Sequence, residues 1–124
     1  MCRVLVADDD EMQRELRKEM LEISGHDVLL ARCASEALAH LENAAADVIL
    51  MDLRFPNARG NPDAREGLGL IRRIRERGCR TPVIVLSGWP DEIYGTPEEE
   101  MVSRVVMKPV RSAALLELIA EVAG

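Results

Sequence analysis

The stretch VLVADDD, from Val4 to Asp10, carries the strongest indication of the fold. Its apolar run is typical of a strand that is buried on both faces. The run stops abruptly at three consecutive carboxylates. Two like charges about 4 Å apart repel by roughly 4 kcal/mol at an effective dielectric near 20. We therefore expect a compensating cation opposite Asp8, Asp9 and Asp10.

Four further apolar runs of strand length follow, and stretches with helical spacing separate them. The strand-like runs are residues 27–31 (DVLLA), 47–51 (DVILM), 81–87 (TPVIVLS) and 104–107 (RVVM). The helical patterns cover residues 11–23, 35–41, 68–76 and 112–122, while Gly95 and Pro97 interrupt a fifth pattern over 91–101. The apolar residues that recur in the first pattern are Met12, Leu16, Met20 and Ile23. This alternation predicts an α/β fold, with helices on both faces of a parallel sheet.

Length and composition limit the function classes. The 124 residues suit one domain, 1–124, and the formal net charge of −6 argues against direct nucleic-acid binding. No segment approaches the roughly 20 apolar residues of a membrane span. The three cysteines are odd in number and form no CxxC motif, so we expect free thiols and a cytoplasmic location.

Polar side chains follow the predicted strands where each strand ends. Asp8, Asp9 and Asp10 follow the first strand, Asp52 the third, Ser87-Gly88 ends the fourth and Lys108 follows the fifth. Ligands of open α/β sheets bind beyond the carboxyl ends of the strands. If the first and third strands are neighbours, Asp8, Asp9 and Asp52 converge and suit a hard cation such as Mg²⁺. Together with Lys108 and Ser87 they predict a phosphoryl site, in which a carboxylate can itself be the nucleophile.

Six motifs, in order along nearly the whole chain, resemble one family. They are VADDDEMQREL, ASEALAHL, VILMDLRFP, GLGLIRRIR, VIVLSG and VVMKPV. The chain resembles the receiver domain of two-component response regulators, in the CheY-like superfamily. The resemblance implies a flavodoxin-like (βα)5 doubly wound sheet of five parallel strands in the order 2-1-3-4-5.

The resemblance also assigns the metal ligands. Asp9 would bind Mg²⁺ directly, Asp8 would do so largely through water, and Asp52 and the backbone carbonyl of Arg54 would be further ligands. Asp10 matches a position that is often acidic in the family without being a ligand, and we expect it to favour the start of the first helix.

The phosphoryl group would be held by a second set of residues. Asp52 would be the phosphoacceptor, the Ser87 hydroxyl would hydrogen-bond the group, and Lys108 would pair with it. The Lys108–Pro109 peptide bond would be cis, as X–Pro bonds can be.

The implied partners are proteins. The donor would be a sensor histidine kinase or a histidine phosphotransfer protein, and the output would go to a downstream protein target or a fused effector. The domain would promote its own phosphorylation and dephosphorylation without being a free-standing enzyme. No contact with a membrane is expected. A homodimer through the fourth-helix face is compatible with the family, although the breaks in that helix disfavour the usual mode.

The chain departs from the family pattern at several positions. The segment from Pro56 to Gly67 is about seven residues longer than usual, which predicts an extended loop over 57–66. The fourth helix should be irregular because proline and glycine interrupt it. Val105 stands where the family often has an aromatic switch residue, so Trp89 or Tyr94 is a candidate replacement. Arg54 and Trp89 flank the path of the hydrolytic water, and their bulk predicts slow autodephosphorylation.

Three alternative functions share parts of this pattern. A degenerate receiver that binds proteins independently of phosphorylation is the main one, and the complete set of acidic, hydroxyl and lysine side chains argues against it. An aspartyl phosphatase of the haloacid-dehalogenase class needs a second Asp two residues after Asp52, where Arg54 stands. A nucleotide-binding enzyme lacks its GxxxxGK[ST] or GxGxxG loop.

Overall fold

The computed structural model describes residues 2–123, and the elements that position the site lie within them. The strands are β1 (Arg3–Ala7), β2 (Asp27–Ala31), β3 (Val48–Asp52), β4 (Phe55–Pro56), β5 (Pro62–Asp63), β6 (Val83–Ser87) and β7 (Arg104–Met107). The α-helices are α1 (Glu11–Ile23), α2 (Ala34–Asn43), α3 (Ala64–Glu76) and α4 (Ser112–Ala123). Two short 3₁₀ helices, Pro90–Glu92 and Pro97–Met101, lie between β6 and β7.

The main sheet has five parallel strands in the order β2-β1-β3-β6-β7. Counting these five alone, this is the predicted order 2-1-3-4-5, and the flavodoxin-like fold is confirmed. The first strand is therefore internal and pairs with both β2 and β3. The three internal strands are buried almost throughout, as their apolar runs predicted.

Alternate residues of the strands supply two separate apolar layers. Leu5, Ile49 and Val85 face one layer, which α2 and α3 cover. Val4, Leu50 and Ile84 face the other, which α1 and α4 cover. Because successive strand residues point to opposite faces, one sequence run fills both cores. The two layers fix the sheet between its helices and leave its carboxyl edge open for a site.

Helix α1 has the predicted bounds. Most of the apolar residues that recur along it, however, lie on its exposed face. Met12 is 73%, Leu16 59% and Ile23 79% exposed. Leu21 is buried instead, and so is Arg14, whose guanidinium donates to the backbone carbonyl of Asp8 at 2.9 Å. One donor of the buried arginine is thus bonded to the backbone, and the helix packs with a polar side chain directed inwards.

The segment 57–66 is more regular than the predicted loop. Strands β4 and β5 form a short antiparallel ribbon, and the Asn57 Oδ1 accepts the N–H groups of Arg59 and Asn61 at 2.9 and 3.1 Å. Helix α3 begins at Ala64, four residues before the predicted start, because the Asp63 carboxylate accepts the N–H of Arg65 and caps it. The extra residues are thus absorbed by a ribbon and an added helical turn.

The segment between β6 and β7 contains no α-helix in the described structure. Its two 3₁₀ helices begin at Pro90 and Pro97, and Gly95 between them has a φ of 82°. The predicted irregularity of the fourth helix is confirmed, and four α-helices stand where the (βα)5 pattern implies five. Within residues 2–123, no helix has the length and apolar character to span a bilayer.

Candidate functional site

Three carboxylates meet at the carboxyl edge of the sheet. Ala7 pairs with Met51, so Asp8 and Asp52 follow as neighbours at the ends of β1 and β3. One carboxylate oxygen from each of Asp8, Asp9 and Asp52 lies within 4.8 Å of the other two. Asp8 is buried, Asp52 is half-buried and Asp9 is exposed. The structure thus brings together the three acids that the strand ends predicted.

Asp8 is held by the chain itself through both carboxylate oxygens. Its Oδ1 accepts the N–H of Asp10 at 2.9 Å, and its Oδ2 accepts a hydrogen bond from Arg17 Nη1 at 2.7 Å. Asp10 caps α1, because its Oδ1 accepts the N–H of Gln13 at 3.1 Å. The acidic turn therefore both starts the helix and fixes the orientation of Asp8.

Asp9 has a raised pKa in this cluster. Its pKa lies above the ordinary value, first because partial loss of hydration disfavours the charged form, and next because Asp8 repels it. Asp52 and Asp10 add smaller repulsions in the same direction. A bound cation would relieve each of these costs.

Asp52 and Lys108 form the central ion pair of the site. Lys108 Nζ donates to Asp52 Oδ2 at 2.9 Å and lies 3.8 Å from Asp8 Oδ2. The N–H of Arg54 donates to the other Asp52 oxygen at 3.3 Å. The Lys108–Pro109 bond is cis, as the resemblance implied. Both oxygens of the Asp52 carboxylate are thus held in place, and a carboxylate fixed in this way can act as a nucleophile.

Ser87 lies at the end of β6, one residue beyond the partner of Asp52 in the β3–β6 register. It is fully buried, and its hydroxyl oxygen accepts the N–H of Trp89 at 2.9 Å. The N–H of Lys108 donates to the backbone carbonyl of Ser87 at 2.9 Å. The hydroxyl hydrogen stays available to donate to an anion at this edge.

Arg54, Trp89 and Glu92 form a bridge across one side of the edge, which we call the Arg54 bridge. The Arg54 guanidinium carbon lies 3.6 Å from the centroid of the Trp89 ring. The same guanidinium donates to both oxygens of Glu92, at 2.9 and 3.0 Å. The bridge joins the turn after β3 to the segment after β6 and makes these side chains one packed unit.

The candidate switch residues lie on β7 and in the segment after β6. Val105 is half-buried and pairs with Val85, while Tyr94 is 50% exposed and Trp89 56% exposed. Trp89 is connected to Ser87 by its backbone N–H, whereas Tyr94 has no side-chain hydrogen bond among residues 2–123. A role for either residue in switching stays a prediction, and Trp89 is the better placed of the two.

Three residues at this edge were not predicted from the sequence. Gln13 and Arg17 reach the acids from α1, and Glu92 holds Arg54 from the segment after β6. The spacing of Gln13 and Arg17 is the i,i+4 spacing of side chains on one helical face, which was the available signal. No local pattern points to Glu92, because it meets Arg54 across 38 residues of chain.

The donor set fits Mg²⁺. Three carboxylates on one edge supply oxygen ligands only, and hard divalent cations prefer such ligands, completed by water and phosphate oxygens. The residues that would hold the ion are Asp8, Asp9 and Asp52, with the Arg54 carbonyl as the ligand that only the resemblance implies. The same edge presents Lys108 and Ser87 to an anion, so it can place a cation and a phosphoryl group side by side.

The sequence is similar to those of known proteins. A family model described as the response regulator receiver domain matches residues 4–120. The virulence transcriptional regulatory protein PhoP of Salmonella typhimurium is 38% identical over 96 residues, which are 75% of this chain and 40% of PhoP. The sensory/regulatory protein RpfC of Xanthomonas campestris is 34% identical over 124 residues, 98% of this chain and 16% of RpfC. The chain spans less than half the length of these two curated relatives.

A solved structure agrees with the fold. The response regulator receiver domain protein of Clostridium thermocellum is similar with a TM-score of 0.83 and 27% identity, and the match covers 99% of this chain and 94% of that one. The similarity extends over both helical layers and the whole sheet.

Proposed function

This chain belongs to the receiver domains of two-component response regulators, and we propose that it accepts a phosphoryl group on Asp52 with Mg²⁺ as the required ion. The observation that carries the proposal is the position of Asp52. Its carboxylate lies 2.9 Å from the Lys108 ammonium on one side and within 4.8 Å of the acids Asp8 and Asp9 on the other. Phosphoryl transfer needs such positioning and charge neutralisation more than it needs covalent chemistry from the protein.

The proposed step is a displacement at phosphorus. One oxygen of Asp52 attacks the phosphorus of a phosphohistidine; the new P–O bond forms as the P–N bond breaks, and the imidazole nitrogen keeps the electron pair and takes a proton from water. Lys108 pairs with the phosphoryl oxygens, and the Ser87 hydroxyl donates to one of them. When bound, Mg²⁺ would neutralise charge on the same oxygens, held by the three carboxylates and the Arg54 carbonyl.

The proposed setting follows from the family. The donor is a sensor histidine kinase or a histidine phosphotransfer protein, and the target is a downstream protein or an effector fused to the chain in a longer regulator. The domain promotes its own phosphorylation and dephosphorylation and acts in the cytoplasm. Support for a protein target comes from the net charge of −6, which disfavours direct binding to nucleic acid.

The test is intact-protein mass spectrometry after incubation with acetyl phosphate, with Mg²⁺ and with a chelator. We expect a Mg²⁺-dependent gain of one phosphoryl group, and its loss in Asp52→Ala. Asp91→Asn is the matched control, because Asp91 is an exposed carboxylate after β6 without a side-chain partner in the described residues.

The opposite result favours the alternative. If the folded protein gains no phosphoryl group from acetyl phosphate or from a phosphoramidate, the chain is a receiver that binds partners independently of phosphorylation. A gain that persists in Asp52→Ala would mean that another residue is the acceptor.

A further inference from the structure

Arg17 reaches into the acidic cluster from the middle of α1. Its Nη1 lies 2.7 Å from Asp8 Oδ2, and the two side chains are only 14% and 1% exposed. This ion pair is therefore shielded from water, unlike the exposed pairs elsewhere on the surface. Shielding makes the interaction between charges stronger than it is at an exposed site.

Gln13 connects Arg17 to Lys108 through hydrogen bonds. Its Oε1 accepts a hydrogen bond from Lys108 Nζ at 3.0 Å and another from Arg17 Nη2 at 3.3 Å. Both cations thus surround one neutral oxygen, and both face Asp8 Oδ2, at 2.7 and 3.8 Å. Two fixed positive charges of the chain itself thus offset part of the charge of the three acids.

We propose that Arg17 is an internal competitor of the divalent cation, which lowers the affinity of the acidic cluster for Mg²⁺. The inference rests on the proposed magnesium site. Asp8 has both carboxylate oxygens engaged, one by the N–H of Asp10 and one by Arg17. A cation that uses Asp8, directly or through its water shell, has to share this carboxylate with the guanidinium or displace it.

The charges act in the same direction as this competition. A guanidinium 2.7 Å from Asp8 repels any cation bound among the three acids, whose oxygens lie within 4.8 Å of one another. This repulsion acts on the bound cation when Arg17 shares Asp8 with it and is not displaced. Removing the charge of Arg17 must therefore tighten the binding of Mg²⁺, whereas a merely structural arginine would leave the affinity unchanged.

The experiment is a titration with MgCl₂ at constant ionic strength, followed by backbone amide NMR shifts. It compares wild type with Arg17→Met and Arg17→Gln; both substitutions remove the charge, and the glutamine keeps a polar N–H donor on a shorter side chain. We expect about a tenfold lower Kd in both variants, the order expected for one charge near the ion. Lys18→Met is the matched control, because it removes one positive charge from the same helix without a described contact to the acids; its Kd should change less than about twofold.

A second readout is thermal unfolding with and without Mg²⁺. Without Arg17 the buried Asp8 is less well compensated, so both variants should unfold at a lower temperature in chelator and gain more from added Mg²⁺ than wild type does. An unchanged or weaker affinity in both variants, with wild type binding normally, would overturn the inference. Absence of saturable binding in wild type and variants alike would reject the proposed magnesium site, and the inference with it.

Discussion

The guanidinium of Arg54 stacks on the ring of Trp89, with 3.6 Å between the guanidinium carbon and the ring centroid. Glu92 keeps Arg54 there with two hydrogen bonds. The Asp52 carboxylate lies two residues before Arg54 and accepts its N–H at 3.3 Å. The Arg54 bridge therefore stands beside the proposed acceptor, and we expect it to restrict the approach of water to that carboxylate.

The Arg54 bridge predicts slow hydrolysis of an aspartyl phosphate at Asp52. We expect Arg54→Asn and Trp89→Glu to shorten its lifetime by about three- to tenfold each, since each removes a contact worth about 1 kcal/mol. Glu92→Gln should shorten it less, because the amide still binds Arg54. Loss of the phosphoryl group after removal of the donor, followed by mass spectrometry, gives the lifetime.

Glu100→Gln is the control for these variants, because Glu100 is an exposed acid of the same segment and lies outside the bridge. If Arg54→Asn and Trp89→Glu, singly and together, leave the lifetime unshortened, the bridge does not control hydrolysis.

Trp89 should report occupancy of the site. Its N–H donates to the Ser87 hydroxyl oxygen, so a rotation of that hydroxyl towards a phosphoryl group disturbs the bond and the ring stacked on Arg54. We expect its emission to change when Mg²⁺ and beryllofluoride saturate the site. Trp89 is the chain's single tryptophan, which makes the signal specific. Unchanged emission in a site that fluorine NMR shows to be filled would exclude Trp89 as a switch.

Asp9→Asn should stabilise the protein in chelator. The raised pKa of Asp9 means that its charged form is disfavoured in the folded state, so the neutral amide removes a repulsion at neutral pH. Because Asp9 is exposed, solvent screening limits the gain to about 0.5–1 kcal/mol. Urea unfolding measures it, and added Mg²⁺ should no longer stabilise the variant. Asp91→Asn should show neither effect; an Asp9→Asn protein less stable than wild type would contradict this account.

Gly67→Ala should destabilise the fold severely. A Cβ at Gly67 would clash with the backbone oxygen of Leu53 and would lie 2.5 Å from its Cα, so either the turn after β3 or helix α3 must move. We expect a loss of about 3 kcal/mol or more, as for other overpacked sites. Gly69→Ala is the paired control, since its Cβ would meet only the Arg72 side chain at 3.8 Å. That change should be neutral or stabilising by about 0.5–1 kcal/mol. Equal stability of the two variants in urea would contradict the predicted close approach.

Glu36 should make folding sensitive to acid. Hydrogen bonds from the side chain and N–H of Arg32 lower the pKa of Glu36 to about 2. A lowered pKa in the folded state gives stability that is present above the unfolded value and is lost as the pH falls towards 2. The advantage of wild type over Glu36→Gln should thus be present at pH 6 and vanish near pH 2. Glu15→Gln, which has no described partner, should show no such trend, and a pH-independent difference for Glu36→Gln would refute the assignment.

The sequence predicted the sheet and the acids for a simple reason. Both depend on short apolar runs and on the residues that end them, and register carries Asp8 and Asp52 to one edge once β1 and β3 are neighbours. The predicted start of α3 lay four residues too far along the chain, although the sequence contains the signal for the correct start. Asp63 followed three residues later by Glu66 is the pattern of a helix N-terminus. The glycine and proline in 57–66 favour a loop, and this pattern competes with the helix signal.

Other features depend on contacts that no local pattern contains. Met12, Leu16 and Ile23 have helical spacing, but the neighbours of α1 decide which face is buried, and they bury Arg14 and Leu21 instead. The contact of Arg17 with Asp8 depends on how the helix is rotated against the sheet. Glu92 can contact Arg54 only when β3 and β6 are paired.

The order β2-β1-β3-β6-β7 divides the site between two halves of the chain. Residues 3–52 supply β1, β2 and β3 and with them all three carboxylates, whereas Ser87 and Lys108 arrive with β6 and β7. A chain emerging from the ribosome therefore makes the negative half of its site first. Arg17, which pairs with Asp8 in the complete fold, belongs to that early half, so part of the countercharge of the acids is synthesised with them and Lys108 follows only after β7.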